Sequence, residues 1–245
     1  MIDQETIRKL REMNLNEFIE ILEVQEKDSG ILTLPFDERL KMAVDHVYMT
    51  KRNTKIARLI NHAKLRFPKA EVTSIIFDKR SIERSVITEL STCSYIKNAT
   101  NIIIQGYTGS GKTYLACALG KSACYKTYRV KYIRLPDLLM AFEESKLTSV
   151  NYYKKFLEKY ERYDLLIIDE WLMQNISTEE QFFLFELIER RYGNSSAIFS
   201  TQYNKDEWLN ILGVNVHSEA IVDRIIHNSV VIETGETNMR QILKC

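Results

Sequence analysis

The chain has 245 residues, enough for one medium domain with a small companion. Hydrophobic residues make up 45% and charged residues 27%, ordinary proportions for a globular protein, and the formal net charge of +1 singles out no class of ligand. No apolar run approaches the roughly 20 residues of a membrane span, and the opening "MIDQETIRKLREMNL" is a charged amphipathic pattern rather than a signal peptide, so a cytoplasmic protein with no membrane association is expected.

Residues up to about 100 read as helices. Ile7, Leu10, Leu15, Phe18, Ile21 and Leu22 recur near helical spacing. Gly30 and Pro35 punctuate "DSGILTLP". A helix restarts in "FDERLKMAVDHVYM", with Asp37 placed to favour its N-terminal dipole. A further helix is expected from about Thr50 to Leu65, stopping before Pro68. The stretch from Phe67 to Ala99 reads as a connector carrying one helix, "SIERSVITEL".

The pattern then changes. "NIIIQ" is a short apolar strand, followed by a glycine-rich loop and the helix "KTYLACALGKSACYK". "RVKYIR" and "YDLLIID" are strands followed by the helices "PDLLMAFEES" and "TEEQFFLFELIERRY"; "SSAIFST" and "SVVIET" complete the strands. Strands alternating with helices imply an α/β fold, here a five-stranded, mostly parallel sheet flanked by helices. The expected division is a helical N-terminal domain over 1–69, a connector over 70–98 and the α/β domain over 99–245. Cys93, Cys117, Cys124 and Cys245 form no CxxC pair, and His46, His62, His217 and His227 are scattered. Buried or idle thiols are expected rather than a metal site or disulfides.

The loop "GYTGSGKT" carries the chemistry. Strand, then GxxxxGK[ST], then helix is the context of a phosphate loop. Gly106, Tyr107, Thr108, Gly109, Ser110 and Gly111 supply backbone for nucleotide phosphates, Gly109 and Gly111 letting N–H groups approach without an obstructing Cβ. The helix behind them offers its N-terminal dipole. Lys112 is expected on the β- and γ-phosphates of ATP, and Thr113 on Mg²⁺. "LLIIDE" ends a strand in Asp169 and Glu170: Asp169 for the Mg²⁺ shell, Glu170 to orient or deprotonate an attacking water. A kinase is the competing chemistry on the same fold, and a scaffold that binds nucleotide without turnover is the non-enzymatic one.

Charge is distributed unevenly. Residues 1–46 hold eleven acidic and six basic side chains; residues 47–70 hold seven basic and no acidic ones. Lys51, Lys55, Arg58, His62, Arg66 and Lys69 follow steps of four, three, four, four and three, which on one helix draws a single face, with Arg52 and Lys64 beside it. Double-stranded DNA is the anion such a face suits, bound through its backbone rather than its bases. A solvated face, or one docked on the acidic helices of residues 1–46, is the plainer alternative.

Four segments, "IIIQGYTGSGKTYLACALG", "YDLLIIDE", "AIFSTQYNKDEW" and "AIVDRIIHNSVVIE", resemble the transposition helper ATPases of the IstB type, relatives of the DnaC helicase loaders within the AAA+ class. "LPFDERLKMAVDHVYMTKRNTKIARLINHAKLRFPKA" resembles that family's helical N-terminal domain. The resemblance covers nearly the whole chain. It implies an AAA+ ATPase without a separate lid that assembles as a homo-oligomer on target DNA, remodels or bends it, and recruits a transposase; a DnaC-type helicase loader is the alternative. It further implies that Thr201 or Gln202 senses the γ-phosphate, that Arg240 is a second sensor, and that Arg224 is an arginine finger reaching a neighbouring copy's ATP. Many members carry two aspartates where this chain has Asp169 and Glu170, and the role of the following Trp171 is open at this level.

Overall fold

A computed structural model of the chain describes residues 3–78, 80–147 and 151–242, which leaves Cys245 outside the described residues. The chain divides into two compact units, Met1–Arg58 and Leu59–Cys245. Among the described residues, no helix is long and apolar enough to cross a membrane.

The first unit is helical: α1 (Gln4–Glu12), α2 (Asn16–Lys27), the single turn α3 (Ser29–Leu32) and the first part of α4 (Phe36–Ala63). Asp3 caps α1 by accepting from the Thr6 amide, and Asp28 caps α3 through the amides of Gly30 and Ile31. α4 is one helix of 28 residues where the sequence pattern suggested two. Nothing between Met42 and Ala63 is glycine or proline, so no residue there interrupts the backbone ladder.

The same helix corrects the basic stripe. α4 ends at Ala63, and Lys64 takes a left-handed backbone (φ 53°), a turn that ends helices. Lys51, Arg52, Lys55, Arg58 and His62 lie exposed on α4, whereas Arg66 and Lys69 fall beyond it and do not continue its face. Lys51 is already engaged, its ammonium donating to the Asn14 carbonyl at 2.7 Å.

The second unit opens with the end of α4, a short 3₁₀ turn (Val72–Ser74), α5 (Arg84–Ser91) and α6 (Ser94–Lys97). This region is no loose connector. Ala63, Leu65, Ala70, Ile75, Ile82, Ile87, Leu90 and Ile96 are buried in the same core as the sheet, which is why the compact unit begins at Leu59 rather than near residue 99. The α/β part then runs β1 (Asn101–Gln105), α7 (Lys112–Tyr125), β2 (Val130–Arg134), α8 (Leu135–Ser145), α9 (Tyr152–Glu161), β3 (Leu165–Asp169), α10 (Thr178–Arg191), β4 (Ser196–Thr201), α11 (Lys205–Leu212), α12 (Val216–Ile226), β5 (Ser229–Glu233) and α13 (Met239–Ile242). All four strand pairings are parallel, in the order β2-β3-β4-β1-β5.

Both faces of this sheet are covered, so its strands read as continuous apolar runs. Alternation still sorts them. Ile102, Ile104, Leu165, Ile167 and Ile198 enter a core with α5 and α7; Ile103, Leu166, Ile168, Ala197 and Phe199 enter a second core with α8, α9, α10, α11 and α12. Cys93, Cys117 and Cys124 are free and buried, and burial pushes the Cys93 and Cys117 thiols up to about 11 and Cys124 to about 12. They stay protonated and inert at neutral pH.

One buried cation staples the amino-terminal end of the inner strands β3 and β4. Arg191 is 4% exposed and faces backbone rather than acid: its guanidinium donates to the carbonyls of Tyr160 (2.8 Å), Tyr163 (2.9 Å) and Ser196 (2.6 Å). Burial pushes it down to about 10. Replacing it by alanine removes the donor from three backbone carbonyls, so Arg191→Ala is expected to cost about 3 kcal/mol, at roughly 1 kcal/mol for each lost bond. Thermal unfolding followed by circular dichroism checks this; an unchanged midpoint would contradict the staple.

Candidate nucleotide site

The carboxyl ends of β1, β3 and β4 lie side by side because β4 is hydrogen-bonded between the other two. In open parallel sheets that is where ligands bind. A cavity of about 700 Å³ opens there; its lining includes Thr108, Gly109, Gly111, Lys112 and Thr113, with Asp169, Glu170, Thr201 and Gln202. The phosphate loop, both acids at the end of β3 and both sensor candidates are therefore brought together.

The loop's shape depends on glycine at two points. Gly106 has φ 152°, and a Cβ there would sit 2.1 Å from the Thr234 hydroxyl oxygen. Gly109 has φ 87°, and a Cβ would meet the Asn238 side chain at 2.5 Å. The segment after β5 is thus folded onto the loop: Met239 donates its amide to the Gly109 carbonyl (2.9 Å), and the Ser110 and Thr234 hydroxyls share a hydrogen bond of 2.6 Å. This brings Arg240 to the cavity wall as well.

Lys112, at the N-terminus of α7, donates to the carbonyls of Gly106 (2.7 Å) and Tyr107 (2.9 Å) of its own loop. Burial holds its ammonium below the ordinary lysine range, opposed by the Asp169 charge. Asp169 is 2% exposed, and its Oδ2 accepts from the Thr113 hydroxyl (2.8 Å) and from the Tyr132 hydroxyl (2.8 Å). Burial, then Asp169, pushes Tyr132 well up, so it remains a neutral donor. A hydroxyl and a carboxylate this close are hard oxygen donors suited to Mg²⁺, which takes few protein ligands and completes its shell with phosphate oxygens and water. No cluster of three or more His, Cys, Asp or Glu able to hold a metal occurs among the described residues, so Thr113 and Asp169 would hold the ion together with the nucleotide, where it would neutralise phosphate charge.

Glu170 has a left-handed backbone (φ 57°), unusual for a side chain with a Cβ. The next residue shows how it is held. Trp171 is fully buried, packs at 4.9 Å from Phe199 and 5.8 Å from Trp208, and donates its amide to the Ser200 carbonyl at 2.8 Å. Trp171 is the anchor that turns the chain and leaves the Glu170 carboxylate in the cavity. There it pairs with Arg66 and Arg134, each at 3.4 Å. Arg66, expected on the DNA face, lines this cavity instead.

The two sensor candidates separate by what they touch. Thr201 is 1% exposed, and its hydroxyl bridges the Trp171 carbonyl and the Tyr203 amide, both at 3.1 Å. The Gln202 side chain reaches across to accept from the Thr108 hydroxyl of the phosphate loop at 3.2 Å. Arg224 is in neither group. It does not line the cavity; it pairs with Glu189 on α10, lies over the Phe185 ring at 5.3 Å and donates to the Ala220 carbonyl at 3.2 Å.

Several cavity residues were not legible as site residues. Phe67, Ile75, Ile76, Tyr114 and Met239 give it an apolar wall suited to a purine ring, and Arg80 braces the loop by donating to the Ser110 carbonyl at 2.5 Å. The one signal was the short apolar run "SIIF" within a stretch otherwise read as linker.

Comparison with known proteins agrees with this geometry. The family model for the IstB-like ATP-binding protein matches residues 8–244. The chain belongs to the IstB-like family. It is 28% identical over 246 residues to an insertion sequence ATP-binding protein of Sinorhizobium fredii, covering 99% of this chain and 97% of that one. It is 29% identical over 204 residues to the corresponding protein of insertion sequence IS1162 from Pseudomonas fluorescens, covering 82% and 87%. Among solved structures, the DnaC helicase loader superposes with a TM-score of 0.60 at 20% identity, over 69% of this chain and 98% of that one. AMPPCP-bound DnaA from Aquifex aeolicus gives 0.58 at 24% identity, over 74% and 54%. These neighbours establish the AAA+ fold, and the family establishes an ATP-binding ATPase.

The contrast between Thr201 and Gln202 has a direct test. Gln202→Ala is expected to slow ATP turnover about tenfold or more with the thermal midpoint unchanged, because it removes one polar group aimed at the phosphate loop. Thr201→Ala is expected to lower the midpoint, since it breaks a buried bridge. The opposite pattern would make Thr201 the sensor.

Proposed function

We propose that the chain is an ATP-dependent transposition helper: it assembles on target DNA with ATP bound, remodels the duplex, recruits a transposase and lets go after hydrolysis. The observation that carries this reading is similarity along nearly the full chain to proteins named for insertion sequences. Likeness to DnaC is a likeness of fold, and a helicase loader would use the same ATPase core.

In the proposed cycle the ATPase reaction moves the γ-phosphoryl group to water, giving ADP and phosphate. Lys112 would exchange its two loop carbonyls for phosphate oxygens, a better match for a partly buried cation. Glu170 would orient the water and take its proton, Gln202 would contact the γ-phosphate, and Arg240 would act as a second sensor. Arg224 would serve a neighbouring copy. Its place outside its own cavity supports that role, and its pairing with Glu189 and Phe185 is then the resting arrangement, broken on assembly. An arginine supplied in this way contributes roughly 10³ to 10⁵ in rate, which ties hydrolysis to oligomer formation.

Lys51, Arg52, Lys55 and Arg58 would follow the DNA backbone along α4, with Lys69 and Arg66 no longer on that face. Stacked cations on one helix repel one another unless an anion lies along them, and released counterions make such binding strongly salt-dependent.

Two substitutions test the cycle. Lys112→Ala is expected to abolish ATP-dependent assembly on duplex DNA, seen by electron microscopy with a non-hydrolysable analogue. Arg224→Ala is expected to keep nucleotide binding and lose turnover by about 10³ or more. Full turnover in the Arg224 variant contradicts the shared site, and capture of a replicative helicase in place of a transposase contradicts the transposition reading.

A further inference from the structure

Glu170 does not hold its two arginines equally. Arg134 is fixed by another acid: its guanidinium grips Asp137 with two bonds, Nη2 to Oδ1 at 2.5 Å and Nε to Oδ2 at 2.9 Å. Its 3.4 Å contact with Glu170 is secondary. Arg66 has no such grip. Its ion pair with Glu170 is single and long at 3.4 Å, and its side chain is 47% exposed. Charge-assisted bonds normally run near 2.7–2.9 Å, and exposed pairs of this kind contribute little. A hydrogen bond to the Tyr132 hydroxyl is the other hold on Arg66 and the main reason its guanidinium lies above its ordinary range, with the Glu170 and Asp169 charges adding to it.

Arg66 lines the same cavity as Glu170, Asp169 and Thr113. Of the other two arginines that line the cavity, Arg80 is spent on the carbonyls of Ser110 and Ile76, and Arg240 sits on the segment that meets the loop at Gly109. A terminal phosphate arriving beside Glu170 therefore meets the Arg66 guanidinium, and a planar guanidinium suits a phosphate better than one long carboxylate contact.

We propose that Arg66 is a residue by which this site distinguishes ATP from ADP: its guanidinium leaves Glu170 for the terminal phosphate, and that exchange frees Glu170 Oε1 for water while Oε2 stays with Arg134. The proposal rests on reading the cavity as the nucleotide site. It places the discriminating group in the turn after α4, outside every segment the sequence marks as phosphate-binding.

The test is calorimetric titration of the full chain, in Mg²⁺, with ADP and with the β,γ-methylene analogue of ATP. Losing one charge-assisted contact to phosphate weakens binding roughly tenfold to a hundredfold. Arg66→Ala is expected to weaken the analogue by that factor and ADP by less than twofold, with Arg66→Lys recovering part of the loss. Retained ADP binding also certifies the fold. Glu170→Gln, which loosens the hold on Arg66, is expected to tighten the analogue severalfold, and the gain should vanish in the double variant. Equal weakening of both ligands, an unchanged ratio, or no gain in the Glu170 variant overturns the proposal. Absence of ADP binding in the unaltered chain overturns instead the reading of the cavity.

Discussion

Asp169 is the point from which the site is built. A carboxylate 2% exposed at the end of β3 needs donors, and it finds them in Thr113 at the start of α7 and Tyr132 in the middle of β2. Without them a buried charge would be costly enough to deform its surroundings. With them, three elements far apart in sequence are tied at one atom. The first residues of α7 are pinned to β3, so the phosphate loop ahead of them has little freedom to collapse, and its glycines keep the amides open toward a ligand.

Glu170 depends on that anchor from the other side. One residue separates a carboxylate that must stay buried from one that must face the cavity, and the backbone achieves this by turning left-handed at Glu170. Such a backbone persists only where the surroundings over-determine it. Trp171, wedged against Phe199 and Trp208 and bonded to the Ser200 carbonyl, supplies the constraint. Arg66 and Arg134 then settle where the carboxylate points. What reads as a catalytic dyad is a graded arrangement: one acid fixed in the core, the next held only by long ion pairs and open to exchange.

Much of this was legible in the sequence, for identifiable reasons. The alternation of apolar strands with helices marks a parallel sheet because both faces must be covered, and GYTGSGKT marks a phosphate loop because few other loops need that glycine spacing before a lysine and a hydroxyl. The limits are equally physical. Periodicity could place Arg66 on a helical face but could not show that the helix ends at Ala63, since Lys64 carries no terminator signal as glycine would. Residues 70–98 lack a long periodic pattern, so their burial against α7 was invisible until the sheet gave them something to pack on. The proposed preference for Gln202 over Thr201 rests on which side chain is already occupied by backbone, and adjacent residues at a strand end cannot be told apart by pattern alone. Arg224 follows from resemblance only; its pairing with Glu189 is a tertiary fact with no local signature.

On the proposed reading, one chain binds and polarises ATP, and the cation for rapid turnover comes from a neighbouring copy. The most direct measurement is ATP hydrolysis by a mixture of two inactive chains, one carrying Glu170→Gln and one Arg224→Ala. Interfaces that pair an intact Glu170 with an intact Arg224 from the neighbouring copy form only in the mixture. Turnover that appears on mixing and rises to a maximum near equal amounts is the predicted result. A mixture as inactive as its separate components would contradict a site shared between copies.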